Sequence, residues 1–116
     1  MKNLNERKER YLRDSLPVRI GGLAANLARV GSFVSFPKGK AAVGDLLFES
    51  KYFVEWTAAE FELETTVELV DLQRKLVRWH RNIDRLWNDD NLRMELGAEA
   101  RKISERLIER SGLANK

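Results

Sequence analysis

Apolar side chains recur every three or four residues along most of this 116-residue chain, and this spacing places an apolar stripe along each amphipathic helix. The most regular stripe consists of Leu16, Ile20, Leu23, Leu27, Val30 and Val34. No segment alternates apolar and polar side chains between turn signals, as a half-buried strand would. The two prolines, Pro17 and Pro37, stand where helices can begin or end. The sequence therefore predicts an all-α protein.

Four such stripes joined by short links predict an antiparallel four-helix bundle. The expected helices cover about residues 16–35, 40–56 and 57–87, and a fourth runs from a turn at 88–91 to about 110. The third would be one continuous helix of ~46 Å, longer than either neighbour can cover. A basic N-terminal arm over residues 1–14 precedes the helical domain, which spans residues 15–113.

Residue types at the helix ends support these bounds. Ser15 is expected to cap the first helix. Thr57 and Glu60 have the spacing of a capping box, in which both side chains accept hydrogen bonds from free backbone N–H groups where a helix begins. Gly112 fits a left-handed cap after the last helix, with Leu113 as its hydrophobic partner.

Composition excludes several kinds of site. The chain has no cysteine, which excludes a disulfide framework, a thiolate zinc site, an iron–sulfur cluster and a cysteine nucleophile. His80 is the only histidine, so most zinc and di-iron sites would lack ligands. No cofactor, metal or membrane contact is expected. Because no apolar run approaches ~20 residues and no signal peptide is evident, a cytoplasmic location is expected.

Charge is arranged in blocks, although the net charge is only +3. Residues 1–40 carry +6, residues 41–72 carry −7, residues 73–88 carry +4, and residues 89–116 are neutral. The third predicted helix is therefore acidic in its first half and basic in its second half. Two copies packed head to tail would pair each acidic half with a basic half.

The second predicted helix adds to this argument because it is apolar on two sides, which a small monomer has little surface to cover. We therefore expect a homodimer, the commonest form of oligomer, that serves as a non-enzymatic scaffold or regulatory adaptor. The expected interface with the second copy or with another protein consists of Phe48, Tyr52, Trp56, Glu60, Glu64 and Glu68.

A basic stripe on the third helix supports an alternative, a nucleic-acid-binding protein. Steps of 4, 3 and 4 residues place its members on one helix face, where they can contact a phosphate backbone or oppose an acidic helix. The stripe consists of Arg74, Arg78, Arg81 and Arg85. The N-terminal arm carries a second basic cluster, made of Arg7, Lys8, Arg10 and Arg13.

A ribonuclease is a more remote alternative. Arg74 and His80 are loosely similar to the RNA-cleaving motif of HEPN-type helical ribonucleases, in which a histidine moves a proton and an arginine steadies the phosphate. This chain departs from that motif because Lys75 replaces the usual small polar residue after the arginine. Six residues also turn a helix by about 600°, so the two side chains do not share a face.

Three helix-face segments carry a further resemblance: residues 23–29, 49–57 and 68–73. Together they resemble a group of short, uncharacterised helical proteins from cyanobacteria, over about residues 16–112. The resemblance implies a cytoplasmic helical protein without an assigned activity, and it supplies no catalytic residue.

Overall fold

The computed structural model describes residues 4–60 and 63–111. These residues form six α-helices, two short 3-10 turns and no strand, so the all-α prediction is confirmed. The helices are α1 (Leu4–Arg13), α2 (Leu16–Phe33), α3 (Lys40–Thr57), α4 (Leu63–Arg81), α5 (Ile83–Trp87) and α6 (Asp90–Ser111). The 3-10 turns are Pro37–Gly39, before α3, and Ala58–Glu60, after it.

The core lies along α2, which packs against both α6 and α3. In turn, α3 packs against α4. The predicted apolar stripes supply the buried residues, since Leu23, Leu27 and Leu47 are completely inaccessible to solvent. Helix α4 contributes Leu69 and Leu76 to the same core.

Close approach between α2 and α6 explains one glycine. A Cβ atom at Gly97 would lie 2.5 Å from Val34 Cγ2, so an alanine there would require the Val34 side chain or the helix to shift. Polar side chains of α6 bond to α2 at the same interface: Ser104 Oγ donates to the Ala24 carbonyl at 2.7 Å, and Arg101 Nη2 donates to the Gly31 carbonyl at 2.7 Å. These bonds fix the register of the two helices.

The prediction of one long helix over residues 57–87 is wrong. Thr57 ends α3 instead of starting a helix, and its buried hydroxyl donates to Tyr11 Oη at 2.9 Å. Glu60 binds Arg19 rather than a backbone N–H. The capping-box prediction therefore fails because both side chains have partners that lie far away in the sequence.

Asn82 makes the second break in that predicted helix, between α4 and α5. Its side-chain Nδ2 donates to the Arg78 carbonyl at 2.8 Å, and its backbone has φ −105° and ψ 20°. An asparagine side chain that bonds to nearby backbone competes with helix continuation. The short helix α5 is then tied to the start of α3, because Trp87 Nε1 donates to the Pro37 carbonyl at 3.0 Å and Asp84 pairs with Lys40.

Other predicted helix ends fare differently. Ser15 does precede α2, with Pro17 in the first turn, but its side chain makes no capping hydrogen bond. Asp89 caps α6, since its Oδ1 accepts from the Leu92 backbone N–H at 3.1 Å. The predicted cap at Gly112 and Leu113 lies outside the described residues.

Candidate functional site

The basic N-terminal segment forms helix α1, which is attached to the rest of the fold through Tyr11. The Tyr11 ring stacks on Phe53 with 4.1 Å between ring centroids. Its hydroxyl donates to the Arg19 carbonyl at 3.2 Å and accepts from Thr57 Oγ1 at 2.9 Å. Burial raises the pKa of Tyr11 to about 12, because the charged phenolate would lose its hydration.

Arg19 links the same end of α2 to the turn after α3. Only 6% of Arg19 is exposed, and its guanidinium binds Glu60 with both Nη atoms, Nη2 to Oε1 at 2.9 Å. Its Nε donates to the Asp14 carbonyl at 3.1 Å. The hydrogen bonds from the two Nη atoms of Arg19 lower the pKa of the Glu60 carboxyl. Glu60 was expected at an interface with a second chain, but it already has a partner in its own chain.

The predicted aromatic interface is partly covered by the same chain. Phe48, Tyr52 and Trp56 form a half-buried row along α3, with adjacent ring centroids 5.1 and 5.7 Å apart. The Tyr11 ring flanks Trp56 at 5.8 Å and the His80 ring flanks Phe48 at 5.6 Å. The row is therefore partly covered by its own chain, and its role as an interface with a second chain stays a prediction.

The other two acidic residues predicted at the interface are Glu64 and Glu68. Glu68 of α4 accepts from Arg106 Nη2 at 3.5 Å and also pairs with Arg110, both on α6. The side chain of Glu64 lies outside the described part of the chain.

The predicted basic stripe contrasts with these paired acids. All four of its side chains are exposed: Arg74, Arg78, Arg81 and Arg85. Arg74 pairs only weakly with Asp71, at 3.8 Å. Within the residues that the structure describes, the other three arginines make no ion pair. The stripe therefore presents positive charge that the described part of the chain does not neutralise.

The break at Asn82 gathers these arginines around two adjoining hollows. The larger, of about 350 Å³, is lined by Gln73, Arg74, Val77, Arg78, Arg81 and Asn82. The smaller, of about 170 Å³, is lined by Arg78, Trp79, Asn82, Arg85, Leu86 and Leu92. Arg78 and Asn82 border both hollows, so the four arginines form one continuous surface although they belong to two helices.

Sequence reasoning found the arginines but missed the apolar residues between them. Leu86 follows Trp79 by seven residues and shares its predicted helix face, whereas Leu92 belongs to α6 and only the fold brings it to this surface. The sequence did contain a signal for the break between α4 and α5, because Asn82 is a poor helix former inside a basic helical run.

The structure does not bring Arg74 and His80 together. His80 lies against Phe48 of α3, whereas Arg74 lines the larger hollow with the other arginines of the stripe. A ribonuclease of the predicted kind needs both side chains at one phosphate. The geometry therefore gives no support to that alternative.

The second basic cluster borders an open cleft of about 610 Å³ between α1 and α3. Arg7 pairs there with Glu49, whose Oε1 also accepts from the buried Asn26 at 3.0 Å. Arg10 and Arg13 share the cleft with Asp14. Glu49 thus offsets part of this cluster's charge, as Asp71 does for Arg74 of the stripe, whereas Arg10 and Arg13 make no ion pair with a described residue.

No protein-family model, curated protein or solved structure matches this chain. Among the described residues, no three histidine or acidic side chains are grouped as a metal site would need. None of the helices in the described ranges has the length and apolar character needed to cross a membrane. The geometry of the arginine stripe is therefore the principal guide to function.

Proposed function

We propose that this protein binds nucleic acid, without catalysing a reaction, through the phosphate backbone at the stripe formed by Arg74, Arg78, Arg81 and Arg85. The observation that carries the proposal is the exposure of all four guanidinium groups around two adjoining hollows, three of them without an ion pair among the described residues. A nucleic-acid backbone is a partner with regularly repeated negative charge.

The chemistry of arginine supports this choice of partner. The planar guanidinium presents a fixed fork of N–H donors that matches two phosphate oxygens, and it stays charged at any physiological pH. Each phosphate contact also releases counterions from the nucleic acid, which strengthens binding at low salt. Four arginines would therefore give an affinity that falls steeply as salt rises.

A homodimer built on the third predicted helix has less support. Its acidic half was to face the basic half of a second copy, but Glu60 and Glu68 already bind arginines within the chain. The homodimer and the four-helix bundle of α2, α3, α4 and α6 stay predictions, and the latter fits the packing of α6 on α2, α2 on α3 and α3 on α4.

The test compares two double variants of the full chain that remove equal charge. Arg78→Gln with Arg81→Gln alters the stripe, whereas Arg29→Gln with Lys102→Gln alters exposed positions on α2 and α6. Binding to a fluorescent oligonucleotide of about 12 nucleotides is measured by anisotropy at about 50 mM salt.

We expect the stripe variant to lose at least about tenfold in affinity, and the matched control to lose less than about twofold. Equal losses in the two variants would show that only net charge matters and would overturn the proposal. So would a wild-type protein that binds no oligonucleotide at this salt, or one that binds polyglutamate as tightly as the oligonucleotide.

A further inference from the structure

The smaller hollow differs from the rest of the basic surface because its floor is apolar. It is formed by Trp79 of α4, Leu86 of α5 and Leu92 of α6, three side chains that are each only half-buried. Trp79 and Leu86 also pack against the core, but phosphate does not bind to apolar carbon, so backbone contact by the stripe does not use the part of this floor that stays exposed. A half-covered tryptophan beside two leucines suits a flat, weakly polar ring.

The size of the hollow restricts what can enter it. Its volume of about 170 Å³ is below the ~300–1,000 Å³ of typical small-molecule and cofactor sites. A single planar ring system attached to a longer ligand fits this space better than a whole cofactor does. The ligand's remaining part would then lie outside, on the surrounding surface.

That surrounding surface is cationic on both sides of the hollow. Arg78 and Arg85 border it from α4 and α5. Asn82, between them, also borders the hollow, and its Nδ2 donates to the Arg78 carbonyl. An apolar floor flanked by two guanidinium groups is the arrangement expected where a base enters a pocket and the phosphates on either side are held by arginines.

We infer that the smaller hollow receives one unpaired base, so that the protein selects single-stranded over double-stranded nucleic acid. This inference rests on the proposed function, since the arginine stripe must first hold the backbone. A duplex keeps its bases stacked inside the helix and can use only the arginines. A single strand can use both the arginines and the apolar floor.

The first experiment changes the ligand and leaves the protein as it is. Anisotropy is measured with three probes of equal length: a single strand, the corresponding duplex, and a single strand whose central residues are abasic. The abasic strand keeps every phosphate but has no base to place in the hollow. Because stacking on an aromatic side chain adds roughly tenfold or more per base, the intact strand is expected to bind about tenfold more tightly than the abasic one.

The second experiment changes the floor of the hollow. Trp79→Leu removes the ring, and Leu92→Gln makes the floor polar from a different helix, so one variant tests the site if the other folds poorly. Met94→Gln is the matched control, because Met94 is an exposed apolar residue of α6 outside the hollow. Circular dichroism confirms that each variant is folded.

Both floor variants are expected to weaken single-strand binding about fivefold or more while duplex binding and the Met94→Gln control stay within about twofold. Equal affinity for the intact strand, the abasic strand and the duplex would overturn the inference but leave the proposed function standing. If the wild-type protein binds none of the three probes, both the inference and the proposed function are overturned. Weaker binding of the floor variants to the duplex as well as to the single strand would also overturn the inference.

Discussion

Residues 57–72 and residues 73–88 are neighbouring segments of opposite charge, but the fold uses their charges differently. The described acids of the first segment bind arginines within the chain, Glu60 to Arg19 and Glu68 to Arg106 and Arg110. In the second segment, Arg78, Arg81 and Arg85 make no ion pair with a described residue. The acids of the first segment therefore hold elements of the fold together, whereas these three arginines are directed outward, although Lys75 of the same basic segment binds Glu99 of α6 at 2.8 Å.

This difference shows that charge blocks in a sequence do not reveal which block is neutralised. The acidic and basic blocks were expected to meet each other across a dimer. In the structure, arginines of α2 and α6 bind these acids instead. They are Arg19, Arg106 and Arg110. The arginines left without such a partner in the described part of the chain include Arg78, Arg81 and Arg85.

The largest predicted effect is on the free energy of unfolding, and it concerns a buried leucine in each segment. Leu69 lies in the acidic segment and Leu76 in the basic one, and both are almost completely buried. Each change to alanine is expected to lower the free energy of unfolding by about 2–5 kcal/mol, because it removes buried methyl groups and leaves a cavity. Urea unfolding measures this, and a loss below about 1 kcal/mol at either site would contradict the packing of α4 described above.

The next prediction concerns Tyr11, which bonds to Thr57 at the start of the acidic segment. Its pKa is raised to about 12 in the folded protein, from the ordinary tyrosine value of 10.0. Because the unfolded chain loses its proton first, the stabilisation is complete below pH 10 and is lost as pH rises through about 12. Wild type is expected to lose about 2 kcal/mol more than Tyr11→Phe between about pH 9 and pH 12. Parallel unfolding profiles for the two proteins would refute this.

A smaller effect on stability is expected to distinguish Glu68, which pairs with two arginines, from Arg78, which pairs with no described residue. Glu68→Gln breaks contacts with two arginines and is expected to lower the free energy of unfolding by up to about 1 kcal/mol. Arg78→Gln removes no ion pair with a described residue and is expected to stay within about 0.5 kcal/mol of wild type or to stabilise the fold slightly, since it relieves repulsion within the stripe. A greater loss for Arg78→Gln than for Glu68→Gln in urea unfolding would reverse the comparison.

The smallest effect is the pH dependence contributed by Glu60. The guanidinium of Arg19 lowers the pKa of this carboxyl below its ordinary value of 4.5. A lowered folded pKa gives stabilisation that is present above pH 4.5 and is lost as pH falls through the folded value. Between about pH 6 and pH 3, wild type should therefore lose slightly more stability than Glu60→Gln. An equal loss in both proteins would show that the Arg19 contact does not favour the charged carboxylate.

Local patterns predicted most of the helices because the apolar period decides which face is buried. The predicted helix over 16–35 and the observed α2, Leu16–Phe33, share the stripe from Leu16 to Val30. The same period placed the arginines of α4 on an exposed face. These features depend only on residues that are close in the sequence.

Features that depend on distant partners were not predictable in this way. Thr57 and Glu60 match a capping box, but Tyr11 and Arg19 bind them instead, 46 and 41 residues away. The apolar hollow needs Leu92 of α6 beside Trp79 of α4, a contact that no local spacing encodes.

The most direct test of the comparison between the two segments is a chemical-shift titration of the labelled protein with a single-stranded oligonucleotide at low salt. The backbone amide signals of residues 74–85 are expected to move most, with those of residues 67–72 and of α1 nearly unchanged. Largest shifts in the acidic segment or in α1, or no shifts at saturating oligonucleotide, would contradict the assignment of the arginine stripe as the binding surface.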